Sequence, residues 1–160
     1  MNVELEHLAG RIRAELEALD HLRQRIAEGW KRAAQASDDY YLDSVALNLH
    51  GLYSGLERLF ELIAAVLDNA VPTGDKWHHA LLQQMTAEVV EVRPAVISKT
   101  VCDHLDEYRR FRHVVRNVYA FNFDPGKIAK LVENSQPVFA QVRAELLAFA
   151  DFLEHRASIN

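Results

Sequence analysis

The sequence predicts an all-α fold, an antiparallel helical bundle of about five helices opening with two long ones. Three observations carry this. Apolar residues recur at three-and-four spacing through most of the chain. No segment alternates with a period of two, and the breaks between periodic runs hold proline, glycine or capping residues. The chain has 160 residues, of which 49% are hydrophobic. That is enough for one core, so residues 1–160 are expected to form one domain.

The first run, Leu5, Leu8, Ile12, Leu16, Leu19, Leu22 and Ile26, predicts a helix ending around Trp30 to Ala34. "SDD" at 37–39 supplies capping side chains for a second helix, whose stripe is Val45, Leu49, Leu52, Leu56, Leu59, Phe60, Ile63 and Leu67. A short turn between two long helices predicts an antiparallel hairpin. "NAVPTGD" ends the pattern, and Asp75 is the expected cap of a shorter third helix in "KWHHALLQQMTAEV". Pro94 marks "EVRPAVIS" as a connector, because the residue before proline is pushed out of helical geometry. Thr100, with Asp103 three positions on, is the expected cap of a fourth helix running to Phe121. Asp124 followed by Pro125 is a favoured start for the last helix. Within it, Pro137 is expected to kink or split the helix, with Ser135 as a fresh cap.

Charge and cysteine usage narrow the function classes. With 18 basic and 23 acidic residues the formal net charge is −5, so any nucleic-acid role must rest on a local patch. One cysteine, Cys102, cannot form an intramolecular disulfide and fits a reducing compartment. The opening "MNVELEHLAGRIRAE" is amphipathic and acid-rich rather than a leader, and no run is apolar enough for a membrane span, so a cytoplasmic protein is expected.

The patch lies in "EYRRFRHVVRNVYAFNFDPGKI". With Arg112 at zero on a helical wheel, Arg116 falls near about 40°, Arg109 near 60°, His113 near 100°, Asn117 near 140° and Tyr119 near −20°. Phe111, Val114, Val115 and Val118 take the opposite side. Arginines hold phosphate oxygens bidentately and stabilise charge developing on phosphorus, and a histidine moves protons near neutral pH. The same face also fits a purely structural role, its cations paired with carboxylates such as Glu57, Glu61 and Asp106.

These residues resemble the HepT branch of the HEPN superfamily, the toxin half of HEPN/MNT toxin–antitoxin pairs. "LNLHGLYSGLERLFELIA" is similar to its long second helix, "DKWHHALLQQM" to its short helix, and "LDEYRRFRHVVRNVYAFNFDP" to its motif helix. The family motif is Arg, four residues, His, one residue, Tyr. Arg112 and Tyr119 match it, while Asn117 stands at the histidine. The resemblance implies a homodimer, a metal-independent ribonuclease acting on tRNA or mRNA at the dimer groove, and no cofactor. It implies Arg112 as catalytic arginine and Tyr119 as the residue to which a minimal nucleotidyltransferase partner transfers AMP. Asn117 does not titrate near neutral pH, so it cannot move a proton. His113, one turn back on the same face, is the candidate for that task, with Arg109 and Arg116 binding RNA. The alternative is an inactive HEPN scaffold that binds RNA, nucleotide or the nucleotidyltransferase without cleavage.

Other features read as structural. Trp77 is expected to anchor the bundle end, His104 to sit at the core or an interface, and Cys102 to be packed. Glu57 and Arg58 are expected to be solvated or structural. His78 and His79 are adjacent in the chain and diverge on a helix, which does not suit metal ligation, so no metal site is assigned. Gly51 and Gly55 mark a close helix approach, either within one chain or across a dimer.

Overall fold

The computed structural model describes residues 2–117 and 123–159. Five α-helices are present among them: α1 (Val3–Ala36), α2 (Tyr40–Ile63), α3 (Trp77–Met85), α4 (Lys99–Asn117) and α5 (Pro125–Ile159). A π-helical turn, Ala64–Asp68, extends α2 before the chain breaks. The all-α bundle is as the periodicity predicts. The expected end of the fourth helix at Phe121 falls outside the described residues.

The hairpin of α1 and α2 forms because both apolar stripes need cover. Ile12, Leu16, Leu19 and Ile26 of α1 meet Val45, Leu49, Leu52, Leu56 and Phe60 of α2 in a continuous buried core. α1 also packs along α5, and α2 carries α3 and α4 on its other sides. Gly51 and Gly55 serve this hairpin. A Cβ at Gly55 would lie 2.5 Å from Leu19 Cδ2, and one at Gly51 would lie 3.2 Å from Leu22 Cδ2, so the close approach is to α1 of the same chain.

Local capping differs from expectation at three places. α3 begins after Lys76 without a side-chain cap, while Asp75 stays exposed. Gly74, at φ +93°, makes the left-handed turn there and its carbonyl accepts from the Trp77 N–H. α4 is capped by Ser98 rather than Thr100. Its Oγ accepts from the Val101 N–H at 3.2 Å, and its own N–H and O–H donate to Glu145 of α5 at 2.5 and 3.0 Å. α5 runs through Pro137 unbroken, and buried Ser135 donates to the Val132 carbonyl instead of capping. Proline inside a helix costs about 3 kcal/mol. Burial of Leu131, Val138, Phe139 and Val142 on either side contributes about 1.5–3 kcal/mol each, which decides the outcome.

The 86–98 connector is held on one side by Arg93 and on the other by Arg156 of α5, which donates to the carbonyls of Val92 and Glu91. Arg93 has a fully buried side chain and uses all its donors: Nε and Nη2 to Asp68 at 2.7 and 2.8 Å, the rest to the carbonyls of Ala87, Pro94 and Gln84. Burial opposes ionisation of Asp68, yet the hydrogen bonds from Arg93 and Gln84 hold its carboxyl below the usual range. This clamp sets α3 and α4 side by side. The hydroxyl of Tyr108, buried in α4, donates to the Leu131 carbonyl and ties α4 to α5.

Candidate functional site

α3 begins with its first turn facing the polar side of α4. Between them lies an open pocket of about 700 Å³. α4 contributes Arg109, Arg112, His113, Arg116 and Asn117, and the α3 end contributes Asp75, Lys76, His78 and His79. Four permanent cations therefore face one carboxylate, in a chain whose net charge is −5. The structure brings five of the six sequence-predicted residues to one pocket. The sixth, Tyr119, lies outside the described residues.

The cations differ in what already holds them. Arg109 and Arg110 both pair with Asp106, at 2.8 and 2.9 Å, and His79 lies 3.5 Å from the same carboxylate. Burial works against ionisation of Asp106, but the Arg109 hydrogen bond and the surrounding cations keep its carboxyl below the ordinary range. Asp106 thus already partners both arginines. Arg112 is different: its Nε donates to the Ser54 hydroxyl of α2 at 3.0 Å, which orients the guanidinium without neutralising it. Among the described residues, neither Arg112 nor Arg116 forms a salt bridge. Two cations aimed at a pocket and lacking a carboxylate are suited to an incoming phosphate.

His113 and Asn117 are exposed neighbours. The Asn117 amide donates to the His113 backbone carbonyl at 2.7 Å and lies 3.4 Å from His113 Nδ1. The amide is thus folded back along its own helix, beside the imidazole.

Beneath the pocket is a carboxylate that sequence reasoning treated as solvated or structural. Glu57 of α2 is 4% exposed, and its Oε2 lies 2.8 Å from His78 Nδ1. Trp77, half-buried against the core, stacks on the His78 ring with centroids 3.7 Å apart. Burial, then the charge of Glu57, push the neighbouring Glu61 carboxyl above its usual range, against the pull of His78 and Arg112. Burial, then Glu57, likewise raise the Tyr53 phenol. His50 was also missed. Its Nε2 is buried with no hydrogen-bond partner among the described residues. Burial, then Arg112 and Arg116, lower its pKa from the usual 6.5. His78 lies in "DKWHHALLQQM" and His50, Ser54 and Glu57 in "LNLHGLYSGLERLFELIA", but the contacts of Ser54 and Glu57 were hidden because their partners come from distant helices.

Among the described residues, no three His, Cys, Asp or Glu side chains converge as metal ligands. No helix there is long and apolar enough to cross a membrane. Cys102 is buried, and burial raises its thiol pKa, so it is a packed residue.

A family profile described as "HepT-like protein" matches residues 44–153, well over half of the chain and including both walls of the pocket. The chain belongs to the HepT-like family. No curated protein matches it, nor does any solved structure. HepT-like membership suggests a HEPN toxin-like function in a toxin–antitoxin context.

Proposed function

We propose that this HepT-like protein is the toxin of a HEPN/MNT toxin–antitoxin pair, a cytoplasmic, metal-independent ribonuclease that cleaves tRNA or mRNA as a homodimer. The observation that carries the reading is the cationic pocket in which Arg112 and Arg116 face outward without a carboxylate while His113 stands beside them. RNA supplies its own nucleophile, so the protein has to position phosphate, stabilise charge and move protons. The 2′-hydroxyl oxygen bonds to the adjacent phosphorus and the bond from phosphorus to the 5′-oxygen breaks. This leaves a 2′,3′-cyclic phosphate and a 5′-hydroxyl. Arg112, oriented by Ser54, and Arg116 stabilise the pentavalent phosphate, and His113 moves a proton. Pairing two copies would concentrate these cations in one groove, which an acidic chain needs in order to hold RNA.

Silencing is assigned to Tyr119. The partner nucleotidyltransferase would direct the phenol oxygen onto the α-phosphorus of ATP, forming Tyr–AMP and releasing pyrophosphate. Co-expression with that enzyme should add mass in whole AMP units at Tyr119, and an unmodified Tyr119 removes this part of the proposal.

The second reading, an inactive scaffold that binds RNA, nucleotide or the nucleotidyltransferase, is favoured by one observation. Asn117 stands at the motif histidine and spends its amide donor on the His113 carbonyl. Purified protein incubated with total RNA in EDTA separates the two. Cleavage by wild type and its loss in Arg112→Ala supports the nuclease. RNA left intact by wild type, yet bound, supports the scaffold.

A further inference from the structure

Asn117 cannot take a proton from the 2′-hydroxyl, so the reaction proposed above needs a base from elsewhere. The floor of the pocket supplies one. A carboxylate as buried as Glu57 is costly unless paired, and its partner is His78, which lines the pocket with a side chain 24% exposed. A carboxylate only accepts hydrogen bonds, so Nδ1 of His78 is the nitrogen that carries the hydrogen. In the neutral ring this leaves a lone pair on Nε2. Trp77, stacked on the ring, holds its plane. The combination of buried acid, oriented imidazole and adjacent reactive hydroxyl is the arrangement by which a carboxylate prepares a histidine as general base.

The two histidines of the pocket come from different helices. An in-line displacement puts the attacking and leaving oxygens on opposite sides of phosphorus, so the proton acceptor and donor must come from opposite sides too. His78 belongs to the α3 wall and His113 to the α4 wall, with Arg112 anchored on α2 through Ser54. We infer that His78, oriented by Glu57, is the general base that takes the 2′-hydroxyl proton, and that the substrate is therefore a strand carrying a 2′-hydroxyl beside the scissile phosphate. As the O2′–P bond forms and the P–O5′ bond breaks, His78 Nε2 gains the 2′-proton and His113 returns one to the 5′-oxygen. Exchange with solvent then resets both rings. Glu57 is a positioning residue in this scheme. The inference rests on the ribonuclease reading.

Three short RNAs test it on the purified full chain: one with a normal linkage, one with sulfur replacing the bridging 5′-oxygen, and one with 2′-deoxyribose at the scissile nucleotide. The sulfur leaving group needs no acid but still needs the base, and the deoxy strand binds without being cut. His78→Ala is expected to slow cleavage of both the oxygen- and the sulfur-bridged strands by about 10²–10⁴-fold while binding the deoxy strand as wild type does. Glu57→Gln is expected to lower kcat and leave KM unchanged. Wild-type rates in His78→Ala, restoration of its activity by sulfur, or loss of deoxy-strand binding would each overturn the assignment. An unchanged kcat in Glu57→Gln would remove Glu57 as the orienting group. If wild type cuts neither strand, the ribonuclease reading fails and this inference falls with it; if only the His78→Ala result goes against expectation, the ribonuclease stands without this base.

Discussion

Replacing Arg93 by alanine should unfold the protein more readily than any surface change. The side chain is fully buried and makes two charge-assisted hydrogen bonds to Asp68, whose side chain is 5% exposed, and three more to backbone carbonyls. Its removal leaves a buried carboxylate with Gln84 as remaining donor and strips the carbonyls of Ala87 and Pro94 of theirs. Breaking a buried pair from one side costs about 3–5 kcal/mol, and the several stranded acceptors place Arg93→Ala toward the upper part of that range. Urea unfolding followed by far-UV circular dichroism at neutral pH reads the difference directly. The Asp68 carboxyl is held below its ordinary 3.8, so its contribution is complete above that pH and is lost as pH falls through the lowered value. The gap between wild type and Arg93→Ala should therefore narrow in acid. A variant within about 0.5 kcal/mol of wild type at neutral pH would show that this clamp does not hold the connector.

Further perturbations follow from the same packing and charges. Gly55→Ala meets buried Leu19 at 2.5 Å and should destabilise by about 1–2 kcal/mol, whereas Gly51→Ala, facing half-buried Leu22 at 3.2 Å, should be neutral or stabilise by up to about 1 kcal/mol. Equal urea midpoints, or the reverse order, contradict the packing described. His50 has a lowered pKa, so the fold binds fewer protons there than the unfolded chain. Its contribution is complete above the ordinary 6.5 and declines as pH falls through the lowered value. His50→Gln should flatten stability against pH in that window, and an unaltered slope would speak against the burial assigned to it. Arg116→Ala should reduce the slope of log affinity for single-stranded RNA against log salt by about 0.7, while Arg110→Ala, paired to Asp106, should leave it nearly unchanged. Equal effects would mean that pairing does not sort these cations.

The helices and the basic face were legible because both are local. Apolar spacing in 5–26 and 45–63 places the hairpin, and the wheel around Arg112 puts Arg109, His113, Arg116 and Asn117 on one side. The caps were less legible, since several side chains can cap and tertiary partners choose among them. Ser98 wins over Thr100 because Glu145, 47 positions away, accepts its donors. The same reason hid the lower half of the site. Glu57 sits within an amphipathic helix, and nothing nearby in sequence shows that α3 will lay His78 over it. The pairing of Asp106 with Arg109, three residues on, is readable from spacing, but nothing along α4 reveals that Ser54 of α2 leaves Arg112 charged.

The central claim is that the Arg112 pocket cuts RNA by attack of its own 2′-hydroxyl. It is tested most directly by mass analysis of the products of a defined RNA incubated with the purified protein in EDTA. The account predicts fragments ending in 2′,3′-cyclic phosphate and beginning with 5′-hydroxyl, formed by wild type and not by Arg112→Ala. Uncut RNA, or 3′-hydroxyl and 5′-phosphate ends, would contradict it.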